Sequence, residues 1–207
     1  MERTAQINRT TKETNIDLSL NIDGSGKCEI ESGNGFFDHM LNLFSSHSRI
    51  DMYLKCAGDT EVDFHHSAED IGIVLGTALK KALSNKAGIK RYGSIILPMD
   101  EALILCAVDL SGRSGLFYDV ETKATVISDD SCEGKSLVGN FDTELVEEFL
   151  SAFVRNAEIT LHIKKLAGKN THHIIEGVFK AFARAVGEAI KIDPTLNGGI
   201  PSSKGIL

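Results

Sequence analysis

The feature that most constrains this chain is a duplicated motif. Two His-His pairs lie at residues 65–66 and 172–173, about half the chain apart, and a glutamate follows the first histidine of each pair by four positions, as Glu69 and Glu176. Both copies run helix, strand, glycine-containing turn, His-His-x-x-Glu and second long helix. Chance similarity between two amphipathic stretches does not account for the shared histidines and glutamates. We therefore interpret the chain as an internal duplication.

Hydrophobic periodicity predicts the elements around the two motifs. Apolar and polar residues alternate as in strands at 16–22, 50–58 and 159–168, and twice within 95–112, with Pro98 near the turn. Residues 28–32 read as the strand returning from the turn at 24–27. Helical spacing occupies 36–47, 65–83, 141–157 and 172–191, the third helix with Asp142 or Thr143 as its N-cap. These elements predict an α+β fold, a two-layer α/β sandwich of duplicated half-domains, each with a mostly antiparallel sheet packed on helices.

The domain organisation follows from the duplication. We predict a single domain made of two repeats, roughly residues 1–90 and 91–195, and an irregular tail at 196–207 that is rich in Gly, Pro and Ser. The polar, Gly/Ser-rich segment 122–140 reads as a loop.

Composition excludes several classes of protein. A net charge of −7 over 207 residues disfavours general nucleic-acid binding, which needs clustered Lys and Arg. The four cysteines form no CxxC pair and indicate free thiols in a reducing compartment. The polar N-terminus lacks the apolar core of a secretory signal, and no apolar run reaches the roughly 20 residues of a membrane span. We expect a soluble cytoplasmic protein that binds neither nucleic acid nor membrane.

The His-His-x-x-Glu spacing indicates metal binding. Residues four apart share a helix face, so His65 and Glu69 can point at one ion, as can His172 and Glu176. The second histidine of each pair, His66 or His173, lies about 100° further round the helix. One helix cannot easily aim both at a single ion, and the natural solution is two ions that each receive ligands from both pairs.

Two further residues occupy matching positions in the repeat and are the best additional ligands, His39 in the first half and Glu148 in the second. Imidazole and carboxylate without thiolate favour Mn or Fe over structural zinc, with Co, Ni and Zn left open. The alternative is that these are helix-start histidines making caps or surface contacts, and two matched copies favour metal. His47 is either a substrate contact or a hydrogen-bonded polar histidine, and His162 reads as structural.

At these motifs the chain resembles a known family. The stretches GFFDHMLNLFSSH, DFHHSAEDIGIVLG, VDLSGR, FDTELVEEF, GKNTHHIIEGVFKAFARA and PSSKG resemble imidazoleglycerol-phosphate dehydratase, and the resemblance covers nearly the whole length. It implies two Mn²⁺ per active site, with ligands from neighbouring subunits of a 24-chain homo-oligomer. The implied ligands are His39, His65, His66, Glu69, Glu148, His172, His173 and Glu176. Some members have histidine at the position of Glu148.

The resemblance also implies a substrate and a reaction. Dehydration of imidazoleglycerol phosphate to imidazoleacetol phosphate, a step of histidine biosynthesis, would pass through a metal-bound imidazolate and a diazafulvene-like intermediate. Glu13 is the implied general acid/base, and the metal-binding Glu69 or Glu176 could share that role. The implied substrate and phosphate contacts are Glu13, His47, Arg91, Arg113, Lys180, Ser202 and Lys204. Against the family, segment 122–140 is long and reads as a surface insertion.

Two other functions remain open at this point. A dinuclear metallohydrolase acting on phosphate esters would use a similar ligand set and would release inorganic phosphate. A non-catalytic metal-binding or storage shell would bind metal without turnover and would tolerate the loss of a distal cation such as Arg113.

Overall fold

The computed structural model describes residues 2–122 and 136–207. The α-helices within these ranges are α1 (Gly35–Ser48), α2 (His65–Leu83), α3 (Leu145–Ala157) and α4 (Thr171–Ala189), and a single turn of 3-10 helix spans Pro194–Leu196. None of these helices is long and apolar enough to cross a membrane. The strands of the first half are β1 (Thr4–Thr10), β2 (Thr14–Asn21), β3 (Cys28–Glu31) and β4 (Asp51–Gly58). Those that follow are β5 (Tyr92–Met99), β6 (Ala102–Asp109), β7 (Gly115–Asp119), β8 (Leu137–Val138), β9 (Phe141–Asp142) and β10 (Thr160–Ala167).

Two four-stranded sheets share one topology. The first has the order β1-β2-β4-β3 and the second β5-β6-β10-β7. In each sheet the first three strands in this order are antiparallel, and the fourth pairs in parallel with the third. One helix separates the parallel strands along the chain, and a long helix follows the last strand. The α+β fold of two duplicated half-domains is therefore confirmed, whereas the boundaries near residues 90 and 195 stay a prediction.

The helices lie between the two sheets and join the halves. In the first half α2 packs on β1, β2 and β4, and in the second α4 packs on β5 and β6. Across the halves, α2 packs on α3 and α1 packs on α4. The α2–α3 approach is close, because a Cβ built on Gly72 would lie 2.5 Å from the carbonyl oxygen of Phe149. Small residues are needed where helix backbones meet this closely.

A cluster of phenylalanines fixes the position of α1 against the second half. The ring of Phe37 lies 5.2 Å from Phe149, 5.6 Å from Phe141 and 6.2 Å from Phe179, measured between centroids. All four side chains are fully buried. Each such side chain contributes on the order of 1.5–3 kcal/mol through burial of apolar surface. The cluster therefore holds the first turn of α1 beside the N-terminal half of α4.

Most of the expected elements are present, but the pairing of one strand differs from the prediction. Helices α1, α2 and α4 begin and end within two residues of their predicted limits. The prediction that residues 28–32 return as a hairpin from β2 is wrong, because β3 pairs in parallel with β4, which follows α1. Pro98 lies near the turn between β5 and β6, as predicted, and is the last but one residue of β5. That strand forms the edge of its sheet, where a missing N–H is tolerated.

The start of α3 also differs from the prediction. The helix begins at Leu145 with Glu144 as its N-cap, rather than Asp142 or Thr143. Residues 137–142 instead form the short hairpin of β8 and β9. The rest of the predicted 122–140 insertion lies largely outside the described residues. Two strands were not predicted, β1 in the polar N-terminal segment and β7 after the SGR turn.

The turn GSGK at 24–27 has a structural role. The backbone N–H groups of Ser25, Gly26 and Lys27 all donate to Oδ1 of Asp51 at 2.7–2.8 Å. These three donors form a small anion-binding nest. The chain's own carboxylate fills this nest and thereby joins the turn to the start of β4.

The three cysteines within the described ranges are free thiols. Cys56 and Cys106 are buried, and burial raises the pKa of the Cys106 thiol to about 12. Cys132 lies outside the described residues. Buried thiols with raised pKa values are inert, in agreement with the reading from their spacing.

Candidate metal centre

Helices from the two halves bring three metal-ligating groups together. His39 comes from the second turn of α1, and His172 and Glu176 come from the first two turns of α4. Nε2 of His172 lies 3.3 Å from Oε2 of Glu176, and Nε2 of His39 lies 3.6 Å from the same oxygen. Among the described residues these are the only three His, Cys, Asp or Glu side chains with ligand atoms all within 4.8 Å of one another.

Helix N-caps determine where α1 and α4 begin, and therefore where on each helix the ligands lie. The side chain of Asn170 accepts hydrogen bonds from the backbone N–H groups of His172 and His173 at 2.9 and 3.3 Å, so α4 begins immediately before the His-His pair. Asn34 caps α1 in the same way, accepting from Phe36 and Phe37. An asparagine N-cap satisfies N–H groups that the first helical turn leaves without partners.

Glu176 is the charged centre of the group. Its side chain is only 11% exposed, whereas those of His39 and His172 are about half exposed. Burial alone would raise the pKa of Glu176, but the hydrogen bond and charge of Lys180 outweigh it and hold the pKa below its ordinary value. Lys180 Nζ lies 2.6 Å from Oε1 of Glu176. The lysine therefore occupies one carboxylate oxygen and leaves Oε2 to face the two imidazoles.

The spacing of this group fits a divalent cation. Ligand atoms about 2.1 Å from an ion lie about 3 Å apart when they are neighbours in its coordination sphere. The observed separations of 3.3 and 3.6 Å need only a small contraction. Two imidazole nitrogens and one carboxylate oxygen suit Mn, Fe, Co, Ni and Zn. The residues therefore fit a bound metal, and three protein donors leave further coordination positions open.

The two histidines of each pair point in different directions. The rings of His172 and His173 are 6.2 Å apart between centroids and inclined at 86°, and those of His65 and His66 are 6.2 Å apart at 89°. His173 donates toward the turn between β5 and β6, with Nδ1 2.7 Å from Oε2 of Glu101. The neighbouring rings therefore diverge, and the two-ion arrangement stays a prediction.

His66 lies among carboxylates of the first half. Its Nδ1 is 3.0 Å from Oδ2 of Asp59, and its Nε2 is 4.0 Å from Oε1 of Glu13. The hydrogen bond to Asp59 raises the pKa of His66, and Glu13 adds to the shift. Glu13 itself is about half exposed. The structure thus brings Glu13 near one predicted ligand.

The residues at the matching positions of the repeat, His65, Glu69 and Glu148, are not assembled in the same way. The carboxylate of Glu69 is 3.1 Å from the guanidinium of Arg155 on α3. Glu148 is half-buried in the first turn of α3, and His65 begins α2. These residues occupy the positions that match His39, His172 and Glu176, but the ligand group found among the described residues does not include them.

The predicted phosphate contacts fall into two places. Lys180 lies at the metal centre, where it contacts Glu176 and Met99. Arg91 donates to both carboxylate oxygens of Asp109 at 2.7 and 3.2 Å and to the backbone carbonyl of Pro201 at 2.8 Å. The last bond joins the tail carrying Ser202 and Lys204 to the start of the second half.

Arg113 lies near this tail. It is exposed at the SGR turn, where the neighbouring Gly112 packs against the backbone of Leu207. The backbone N–H of Lys204 donates to the side-chain oxygen of Ser202 at 3.2 Å. Arg91 and the neighbour of Arg113, Gly112, thus each contact the tail that carries Ser202 and Lys204. Lys180 lies instead at the metal centre.

The two remaining histidines have different surroundings. His47, in the last turn of α1, has a lowered pKa because of burial and because Lys180 and Arg184 are nearby. It lines a cavity of about 240 Å³ together with Arg184. His162 stacks on Phe117 with ring centroids 4.3 Å apart, which agrees with a structural reading.

Sequence reasoning missed Asp59 and Glu101, the carboxylates beside His66 and His173. A signal for Glu101 was available. It immediately precedes β6 as Glu13 immediately precedes β2, and these are the second strands of the duplicated sheets. Asp59 follows β4 directly, where a polar residue in a turn gives no indication of its partner.

Comparison with known sequences gives a consistent result. The family model described as imidazoleglycerol-phosphate dehydratase matches residues 32–186. The imidazoleglycerol-phosphate dehydratase of Acetivibrio thermocellus is 54% identical over 207 residues, covering all of both chains. That of Listeria innocua is 53% identical over 205 residues, covering 99% of this chain and all of the relative.

Solved structures give the same relationship. The crystal structure of imidazoleglycerol-phosphate dehydratase from Staphylococcus aureus has a TM-score of 0.79 at 40% identity and covers 92% of this chain and 99% of its own. That of the Pyrococcus furiosus enzyme in complex with (S)-C348 also has a TM-score of 0.79, at 35% identity, covering 97% and 100%. From the duplicated fold, the family model and these full-length relatives, we conclude that this chain belongs to the imidazoleglycerol-phosphate dehydratase family.

Proposed function

We propose that this chain is a hydro-lyase that removes water from imidazoleglycerol phosphate and yields imidazoleacetol phosphate in histidine biosynthesis. The observation that carries the proposal is the group of His39, His172 and Glu176, in a chain that matches this family over its full length. A bare surface triad would support only metal binding. The family match supports the substrate and the reaction.

We propose Mn²⁺ as the metal, two ions per active site, held by the eight ligands that the resemblance implies. The best-supported ligands are His39, His172 and Glu176, because their donor atoms already face one another. When bound, the ions would stabilise the anionic form of an imidazole ring at neutral pH. That chemistry suits this substrate, because its reacting C–H bond has no adjacent carbonyl and the ring must accept the electrons.

The chain's own residues would prepare the site and move the protons. Lys180 fixes the carboxylate of Glu176 and keeps it ionised, so that one oxygen faces the imidazoles. Glu13 is our candidate for the general acid/base, because it is half-exposed and its carboxylate lies 4.0 Å from His66. A carboxylate at this place can take a proton from carbon and return one to the departing hydroxyl.

Recognition of the phosphate group would use the cations near the tail. Arg91 and Arg113 offer planar donors that match phosphate oxygens, and Ser202 and Lys204 add a hydroxyl and an ammonium. The Arg91–Pro201 hydrogen bond supports this role for the tail, since it joins the SSKG segment to an arginine of the second half. His47 and Lys180 would contact the substrate from the side of the metal.

Assembly would complete the metal sites. His66 and His173 face away from their neighbouring histidines, and the group at His39 supplies only three donors. We therefore propose that another copy of the chain contributes the remaining ligands, within a cytoplasmic homo-oligomer of 24 subunits.

The proposal is tested by stripping the protein with a chelator, restoring Mn²⁺ and supplying imidazoleglycerol phosphate. We expect formation of imidazoleacetol phosphate only after Mn²⁺ is restored, with no release of inorganic phosphate. Arg113→Ala is expected to raise the KM for imidazoleglycerol phosphate. A metal-storage protein would tolerate this substitution, because it has no substrate to bind. Release of phosphate without the ketone would indicate a metallohydrolase, and bound metal with neither product would indicate a storage shell. Either result would overturn the proposal.

A further inference from the structure

Two carboxylates contact the second histidines of the two His-His pairs, His66 and His173. Oδ2 of Asp59 is 3.0 Å from Nδ1 of His66, and Oε2 of Glu101 is 2.7 Å from Nδ1 of His173. In both cases it is the second histidine of the His-His pair that has this partner, and in both cases the contact is made through Nδ1. We propose that Asp59 and Glu101 are positioning residues that present Nε2 of His66 and His173 as metal-donating atoms.

The chemical reason lies in the tautomers of imidazole. A neutral ring carries one N–H, and an ionised carboxylate can only accept a hydrogen bond. A carboxylate at Nδ1 therefore fixes the proton there and leaves the lone pair on Nε2. The other oxygen of Glu101 accepts the backbone N–H groups of Asn170 and Lys169, so both oxygens of this carboxylate act as acceptors. Partners of this kind orient ligand rings and increase their basicity in metal sites.

The two partners do not descend from one position of the duplicated fold. Asp59 follows β4, whereas Glu101 precedes β6. The residue that precedes the second strand of the first half is Glu13, and it lies on the Nε2 side of His66 at 4.0 Å. A contact inherited from the duplication would use equivalent positions. The two halves make the same carboxylate–Nδ1 contact from different positions of the repeat. This indicates that the contact with the imidazole ring was retained, and not the backbone position that supplies it.

Glu101 also determines where its histidine stands. Its Oε1 accepts hydrogen bonds from the backbone N–H groups of Asn170 at 2.8 Å and Lys169 at 3.3 Å. Asn170 is the N-cap of α4. One carboxylate therefore holds both the ring of His173 and the backbone at which its helix begins. Asp59 is held similarly, since its backbone N–H donates to the carbonyl of Glu13 at 3.0 Å.

The substitution Glu101→Gln separates the two tasks of this carboxylate. The amide oxygen of glutamine can keep the hydrogen bonds from residues 169 and 170, which places the NH₂ group opposite Nδ1 of His173. The ring nitrogen must then accept, and its proton moves to Nε2, where it blocks metal binding. Asp59→Ala removes the acceptor from His66 and provides a second, independent variant. Glu61→Gln removes a charge from an exposed residue of the same turn as Asp59 and is the matched control.

The first readout needs no metal. Imidazole ¹⁵N chemical shifts of the chelator-stripped protein, recorded at an alkaline pH at which the shifts themselves show neutral rings, report which nitrogen carries the proton. We expect Nδ1–H at His66 and His173 in the wild type, and Nε2–H at His173 in Glu101→Gln. An unchanged tautomer in that variant would overturn the proposal. If Glu101→Gln does not fold, Asp59→Ala provides the test at His66. We expect the proton of His66 to be no longer confined to Nδ1 in that variant.

The second readout is the affinity for Mn²⁺, measured from the electron paramagnetic resonance signal of the unbound ion. We expect Glu101→Gln and Asp59→Ala each to weaken binding by about 10- to 100-fold, and Glu61→Gln to bind like the wild type. If the wild type binds Mn²⁺ and the affinities of both variants lie within about twofold of the wild-type affinity, the proposal is overturned. The proposed function would not be affected by that result. The inference rests on the proposed function, but the two can fail separately. A wild type that binds no Mn²⁺ would refute the proposed metal-dependent function. The tautomers would still be measurable, because that experiment uses the metal-free protein.

Discussion

The N-terminal ends of α2 and α4 carry the same His-His-x-x-Glu motif with different surroundings. At α4, Glu176 faces His172 and His39 and is supported by Lys180 from its own helix. At α2, Glu69 is instead paired with Arg155 from the neighbouring helix. The two long helices have the same length, and the sheets beneath them have the same strand order. The difference therefore arises from the helix packed alongside, and not from the motif.

The comparison shows that a repeated motif determines where its histidines and glutamate lie on the backbone. The charged partners of these side chains are determined by the helices packed beside the motif. An imidazole at position 39 adds a donor beside Glu176, whereas α3 presents Glu148 at the matching position and an arginine further along. A cation paired with one carboxylate oxygen leaves the other available, as Lys180 does. A cation on another helix can compete with a metal ion for the carboxylate. We infer that the trio at α4 is the better preorganised of the two.

The largest effect should come from Glu176→Gln. It removes the charge that faces both histidines, so we expect Mn²⁺ affinity to fall by more than about 100-fold and kcat/KM to fall with it. The matched variant is Glu69→Gln, for which we expect a smaller loss of affinity because Arg155 already competes for that carboxylate. Mn²⁺ titration and steady-state kinetics measure both. A loss in Glu69→Gln equal to or larger than that in Glu176→Gln would refute the ranking of the two ends.

A moderate effect on stability is expected where helices of the two halves approach closely. At α2–α3 a Cβ on Gly72 would lie 2.5 Å from the carbonyl oxygen of Phe149. At α1–α4 a Cβ on Gly187 would lie 2.7 Å from the carbonyl oxygen of Ser48, so both helix pairs depend on a glycine. We expect Gly72→Ala to lower the free energy of unfolding by about 1–3 kcal/mol. Thermal denaturation would show this as a decrease of roughly 2–4 °C in Tm per kcal/mol. Gly35→Ala is the control, because a Cβ there meets nothing within 4 Å. Equal Tm values for the two variants would contradict the close approach.

A smaller effect is expected from Arg155→Ala. The Arg155 side chain is 58% exposed, and an exposed ion pair contributes less than about 1 kcal/mol to stability. Release of Glu69 should leave Mn²⁺ affinity unchanged or increase it by a few-fold. Isothermal titration of the stripped variant measures this change. A decrease of about tenfold or more would mean that Arg155 supports the ligand instead of competing with the ion.

The smallest effect concerns the opposite ends of the same helices. The last turn of α2 carries Lys80 and Lys81, whereas α4 has Glu188 near its C-terminus, an unfavourable place for a negative charge. Hydrogen bonds from Lys191 and Lys90 lower the pKa of Glu188 to about 2. Its contribution is therefore present above the ordinary value of 4.5 and is lost as pH falls toward about 2.

We expect Glu188→Gln to be destabilised by less than about 1 kcal/mol at pH 7, because the carboxylate is partly exposed and screened by solvent. Chemical denaturation from neutral to acidic pH measures the difference from the wild type. The two curves should converge below the ordinary carboxyl pKa. A difference that grows on acidification would have the wrong sign for a depressed pKa.

The fold could be predicted where periodicity is strong. Residues 65–83 have an uninterrupted apolar face and were assigned within these limits, because helical spacing over that length has no strand alternative. The pairing of β3 could not be read from its sequence. A short strand after a turn reads as a hairpin partner, and its parallel pairing with β4 depends on where α1 places the chain.

The candidate site shows the same division. Local spacing was enough to place His172 and Glu176 on one helix face, since both are in one element. The repeat was enough to propose His39. Asp59 and Arg155 come from other elements, and their contacts depend on tertiary packing that a single sequence does not encode locally. Glu101 had a signal in its place before the second strand of its sheet, but its contact with His173 also depends on packing. Glu148 is not part of the ligand group found among the described residues, so its coordination of a metal stays a prediction.

The most direct test is anomalous scattering at the manganese absorption edge from crystals of the Mn²⁺-loaded protein. We predict a peak bounded by Nε2 of His39, Nε2 of His172 and Oε2 of Glu176, with Lys180 still on the other oxygen of the carboxylate. Loss of this peak in Glu176→Gln crystals would tie it to that carboxylate. Manganese found only elsewhere, with these three side chains unliganded, would contradict the assignment of the metal centre.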